Sequence, residues 1–96
     1  MKANLTNLRK ALKTCAKAHN AEFCDWSREG QLGVHSDTPG TICDVQMIMD
    51  AFYGRHDMTE VGWGYVTIWL EEMMVRNRNE VDEVLLYMAL PYGTKI

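Results

Sequence analysis

The stretch GWGYVTIWLEE, residues 62–72, alternates with a period of two: Trp63, Tyr65, Thr67 and Trp69 fall on one side, Gly64, Val66, Ile68 and Leu70 on the other. Successive side chains of a strand point to opposite faces, and β-branched and aromatic residues favour that conformation, so the pattern predicts a strand over 61–70. A small domain covers one face of a sheet well. Two arrangements follow. Either Val66, Ile68 and Leu70 pack under helices and Trp63, Tyr65 and Trp69 emerge on the far side, or the aromatics are the core and the chain's tail covers the aliphatic row. The EEMM that follows favours helix, which leaves the strand's end open and keeps a helical reading of the region as a further alternative.

Working outward towards the C-terminus, NEVDEVLLYMALP offers Asn79 as a helix cap and an inner stripe of Val81, Val84, Leu85 and Met88, before Pro91 and Gly93 end the segment. A strand over 80–90, paired back through RNRN, is the alternative. On the N-terminal side, Thr41 and Asp44 have capping-box spacing with Asp in place of Glu. A helix from Ile42 then carries the stripe Ile42, Val45, Ile48, Met49 and Phe52 and stops at Gly54. Its other face holds Cys43, Met47 and Asp50. Before it, AEFCDWS and LGVHS flank a turn with Gly30 at a positive-φ position and read as a hairpin. The first helix covers 4–21, with Asn4 as cap and Leu5, Leu8, Leu12, Cys15 and His19 at spacings of three and four.

The expected fold class is therefore α+β. One domain spans 1–96, with an antiparallel sheet of about three strands, or four, and helices mainly on one face, in the order α-β-β-α-β-α. With the tail as a strand the order becomes α-β-β-α-β-β. At 96 residues, with 47% hydrophobic and 24% charged residues, the chain suits one folded domain with a modest core. It contains no apolar run long enough for a membrane span and no secretory leader, and its three cysteines form no C-x-x-C pair. The expectation is a cytoplasmic protein with reduced thiols and no membrane partner.

Charge is unevenly placed. Residues 1–21 contain Lys2, Arg9, Lys10, Lys13 and Lys17 and no acid, whereas the rest of the chain has five basic and 13 acidic residues. Arg9, Lys10, Lys13 and Lys17 fall along one edge of the first helix. They can track phosphates or an acidic partner, or pair with the chain's own acidic body. The acidic remainder would repel a nucleic acid, which ranks that reading lower.

Residues with chemical potential match no known pattern. Cys15 and His19 stand one helical turn apart, and Cys24, His35 and Cys43 carry further zinc-type donors, but their spacings fit no structural zinc motif. Cys15 reads as a core residue, and His19 as a ring hydrogen-bonded near the helix end. His56 beside Asp57 has the type of a general base and equally the type of a solvated turn. Gly62 and Gly64 lack the Lys and the spacing of a phosphate loop. No metal, cofactor or catalytic residue is expected.

Large aromatics are common anchors of protein interfaces, which makes Trp63, Tyr65 and Trp69 the leading partner-binding candidates. In size, Met and Trp content and lack of motifs the chain resembles the short proteins with which phages and mobile elements block host enzymes, anti-CRISPR and anti-restriction inhibitors among them. That type implies a non-enzymatic inhibitor docking on a host protein or protein complex in the host cytoplasm, with self-association as a homodimer the natural rival. A nucleic-acid-binding regulator acting through the first helix, and a small Cys/His metal protein or enzyme, are the alternatives.

Overall fold

The computed structural model describes residues 1–38, 40–54, 59–62, 64–70 and 79–94. The order is α1 (Leu5–Ala18), β1 (Glu22–Trp26), β2 (Gln31–His35), α2 (Thr41–Tyr53), β3 (Thr59–Gly62), β4 (Tyr65–Trp69) and α3 (Glu83–Ala89). This is the expected α+β class with four strands, in the order α-β-β-α-β-β-α. All pairings in the sheet are antiparallel and the spatial order is β1-β2-β4-β3.

Helix α1 starts where its sequence says. The Asn4 side chain accepts a hydrogen bond from the Asn7 N–H at 2.8 Å, satisfying one of the free donors of the first turn. Leu8, Ala11, Leu12, Cys15 and Ala16 are its buried residues. A short turn through Ser27–Glu29 and Gly30 joins β1 to β2, as the hairpin reading requires.

Three local expectations change. Thr41 is the first residue of α2 and does not cap it. Gly40, at φ 94°, holds the cap position, and the buried Thr41 hydroxyl donates back to the Thr38 carbonyl oxygen at 3.0 Å. Ile42 consequently lies at the edge of the stripe, partly exposed, while Val45, Ile48, Met49 and Phe52 are buried.

The expected single strand over 61–70 is a hairpin, β3 and β4, that reverses between Gly62 and Tyr65. Gly64 sits at φ 81°, a left-handed conformation that side-chain-bearing residues rarely adopt. A Cβ there would also lie 2.9 Å from the Asp37 carboxylate. Of the two glycines around Trp63, Gly62 ends β3 and Gly64 is the turn residue.

The tail is a helix, and the strand alternative falls. Its cap is Asp82, whose carboxylate accepts from the Leu85 N–H at 3.3 Å, and not Asn79. The expected inner stripe is correspondingly displaced: Leu86, Ala89 and Leu90 are buried, whereas Val84 and Met88 are 71% and 65% exposed. Val81 is buried just ahead of the helix, where its N–H donates to the Met1 carbonyl, and Asp82 N–H donates to that of Ala51. Those two bonds lock the chain's entry into α3 and so fix which side of the helix faces α2.

Helices cover one face of the sheet. From that face Leu32, Val34, Val66 and Ile68 join Leu8, Leu12, Cys15, Val45, Ile48, Met49 and Phe52 in one core, and Leu86 and Ala89 of α3 extend it beyond α2. Among the described residues no helix is long and apolar enough to cross a membrane.

Candidate functional site: an aromatic sheet face

The register decides which side chains share the other face. Tyr65 is opposite His35, Thr67 opposite both Gly33 and Glu60, and Trp69 opposite Gln31. On the far strand, Glu22, Cys24 and Trp26 pair with His35, Gly33 and Gln31. Paired residues point to the same side. The face away from the helices therefore carries Trp26, His35, Tyr65 and Trp69, ringed by Glu22, Gln31, Glu60 and Thr67. Tyr65 and Trp69 are 41% and 44% exposed, while their strand neighbours Val66 and Ile68 are buried. Of the two arrangements the alternation allows, the aliphatic row is inside. Trp63, the third aromatic of the expected row, lies outside the described residues.

Two of the four rings come from elements the sequence reading did not connect to the site. Trp26 lies across the sheet because β2 has Gly33 where its indole passes; a Cβ at position 33 would approach the ring to 2.5 Å. The indole thereby reaches Tyr65, with centroids 6.2 Å apart and planes tilted by 33°. The His35 imidazole stacks on Tyr65 with centroids 4.4 Å apart. A glycine in mid-strand commonly marks a close approach, and that was the available signal for Trp26. Replacing Gly33 with Ala is expected to evict the Trp26 ring, shift its fluorescence towards the red, and leave the chain folded, because a side chain and not backbone must give way. Fluorescence of Gly33→Ala beside circular dichroism checks this.

Trp69 is held differently. Its indole N–H donates to a Glu60 carboxylate oxygen at 3.1 Å, fixing the ring against β3. Between Tyr65 and Trp69 an open notch of about 280 Å3 remains, lined by Gln31, Glu60, Val61, Gly62, Tyr65, Thr67 and Trp69.

The other candidates are placed elsewhere. On the helix edge, Arg9 makes an ion pair with Asp25 (Nε to Oδ2, 2.9 Å) and donates from Nη2 to Ser27 Oγ at 2.6 Å. The hydrogen bonds from Ser27, and then the Arg9 charge, hold the Asp25 carboxyl below its ordinary value. Lys13 Nζ sits 5.7 Å from the Phe23 ring centroid. Lys10 and Lys17 are exposed. Of the four charges on the basic edge, Arg9 is neutralised by Asp25, while Lys13, Lys10 and Lys17 stay exposed.

Cys15 is fully buried, and His19 Nε2 lies 2.7 Å from Asp44 Oδ2, tying the end of α1 to the first turn of α2. Cys24 is half-buried on the aromatic face and Cys43 is exposed on α2, so the thiols and imidazoles do not converge. Among the described residues no group of three His, Cys, Asp or Glu is placed to hold a metal ion. His56 and Asp57 lie outside the described residues. On α2, Met47 packs partly against the core and only Cys43 of the Cys43, Met47 and Asp50 face is fully exposed.

Comparison with known proteins finds no matching protein family, no matching curated protein and no matching solved structure.

Proposed function

We propose that this chain is a non-enzymatic protein-binding module whose docking surface is the helix-free face of its sheet. The observation that carries this reading is the aromatic row Trp26, His35, Tyr65 and Trp69 on a face that no described helix covers. Rings of this size expose a surface that water solvates poorly, and their rigid side chains lose little entropy when a partner covers them. Their mutual stacking adds preorganisation, which lowers the cost of association. Within this proposal the partner is a host protein or complex and the chain an inhibitor of the phage or mobile-element type. Size and composition are the support for that finer assignment.

A second surface is available for comparison. Val84, Tyr87 and Met88 form an outward row on α3. The test is capture of partners and sedimentation of the pure protein for Tyr65→Ala, Trp69→Ala and Tyr87→Ala. Loss of capture, or of self-association, in Tyr65→Ala and Trp69→Ala, with Tyr87→Ala behaving as wild type, is the expected result. The Trp69 truncation should weaken binding by about 2 kcal/mol or more. Retained binding in both sheet variants overturns the proposal, and loss in Tyr87→Ala alone moves the docking surface to α3.

The nucleic-acid reading is supported by one charge fewer than the sequence suggested, since Arg9 is paired with Asp25. Metal binding is supported by no group of three His, Cys, Asp or Glu among the described residues.

A further inference from the structure

Resting on the docking reading, we infer that the notch between Tyr65 and Trp69 is a subsite for a cationic side chain, a guanidinium or ammonium presented by a basic segment of the partner. The two rings stand two positions either side of Thr67 on β4, so they form opposing walls of one gap. Glu60 pairs with Thr67 across the strands and puts a carboxylate at the gap's rim. That carboxylate is oriented by the Trp69 indole N–H, at 3.1 Å, so it is placed before any ligand arrives. The Gln31 amide, the Thr67 hydroxyl and Val61 complete the lining, and Gly62 adds no side chain on the β3 side.

Each element of this arrangement favours positive charge. Aromatic faces attract a cation through the negative potential of their π clouds, most strongly for indole, and a fixed carboxylate adds a charge-assisted acceptor with the geometry a guanidinium matches. The described strand positions of this face include Glu22 and Glu60 and neither Lys nor Arg. The same stacking rings would suit a nucleobase, but a phosphate backbone would run past these two carboxylates with no Lys or Arg among the described strand positions of the face to offset them. The molecule already makes one such cation-to-ring contact internally, between Lys13 and Phe23 on the covered face. Charge complementarity therefore commits the notch to a basic protein segment.

The test is an NMR titration of the labelled protein with three probes: a Gly-Arg-Gly-Arg-Gly peptide, the same peptide with citrulline for arginine, and a ten-nucleotide oligo-dT. The arginine peptide should move the Trp69 indole N–H and the amides of Tyr65 and Thr67. Citrulline, equal in shape but uncharged, should bind about tenfold more weakly or worse. Glu60→Gln, an exposed and nearly isosteric change, should bring the two peptides to equal, weak binding, and its melting curve verifies that it is folded. Equal binding of both peptides to the wild type, absence of any shift, shifts centred away from the notch, or preference for oligo-dT overturns the inference. Partner capture separates the two readings. Loss in Trp69→Ala with full retention in Glu60→Gln removes the cation subsite and leaves the docking face standing. Arginine-specific shifts with capture indifferent to Tyr65→Ala and Trp69→Ala remove the docking face.

Discussion

Replacing Ile68 by Ala is expected to destabilise the fold by about 2 to 5 kcal/mol, whereas truncating its neighbour Trp69 leaves the melting temperature nearly unchanged. Ile68 has no exposed surface; it points from the centre of the sheet into the core shared with α1 and α2, paired with Leu32 on one side and Thr59 on the other. Removing three of its carbons there leaves a void that close-packed neighbours fill only in part. In a domain of this size each kcal/mol lowers the midpoint by roughly 4–8 °C, so Ile68→Ala should melt about 10 °C or more below wild type. Trp69, 44% exposed on the helix-free face, gives up its hydrogen bond to Glu60 and packing on the sheet surface, not core volume. The outcome runs against the larger side chain, which makes the pair diagnostic. Thermal melts of Ile68→Ala and Trp69→Ala read it directly, and a collapse of Trp69→Ala equal to that of Ile68→Ala would identify the aromatic row as core.

That contrast also shows how far the sequence was legible. Periodicity alone identified the three described helices and the first hairpin, because each carries an apolar repeat bounded by a cap or a glycine. It missed the second hairpin: VGWGYVTIW reads as one unbroken alternation, and Gly62 and Gly64, both within the pattern, conceal a reversal that depends on the positive φ of Gly64. It placed the buried side of α3 only in part: of the expected stripe Val81 is buried and Leu85 packs partly against the core, while Val84 and Met88 face out. Val84 and Met88 satisfy helical spacing as well as Leu86 and Ala89 do, and the choice is made by Val81 and Asp82, whose N–H groups bond to the carbonyls of Met1 and Ala51. Those are contacts between chain ends and a distant helix, and no local pattern encodes them. At the candidate site, alternation supplied Tyr65 and Trp69, but Trp26 and His35 arrive through the register of three strands. Gly33 was the one local sign of them, and its meaning depends on knowing which ring crosses it.

Stability should fall steeply as pH rises from 9 to 12, through two groups that burial keeps protonated. Desolvation pushes the Cys15 thiol up to about 12 from an ordinary 9.0, with the Asp44 charge adding to it, and pushes the Tyr53 phenol up to about 12 from 10.0. Among the described residues the buried Tyr53 hydroxyl meets no hydrogen-bond partner that would stabilise a phenolate. The sign follows from linkage. Above pH 9 the unfolded chain releases the Cys15 proton while the folded chain holds it. The folded state then binds more protons, and unfolding becomes easier with each added pH unit. Cys15 acts from 9 to about 12 and Tyr53 from 10 to about 12, each contributing about 1.4 kcal/mol per unit within its window. Cys24, half-buried and raised by burial and then by Glu22, steepens the same limb. Urea denaturation at half-unit steps from pH 8 to 11 measures the slope. Cys15→Ala is less stable at pH 8 through lost packing, yet its curve should be flatter above pH 9, so the two proteins converge as pH rises. Alkylation by iodoacetamide at pH 8 reports the same burial independently: exposed Cys43 should react in the folded protein and Cys15 only after urea opens the core. Parallel stability curves, or equal labelling of Cys15 and Cys43 without urea, would show the Cys15 thiol to be open to water.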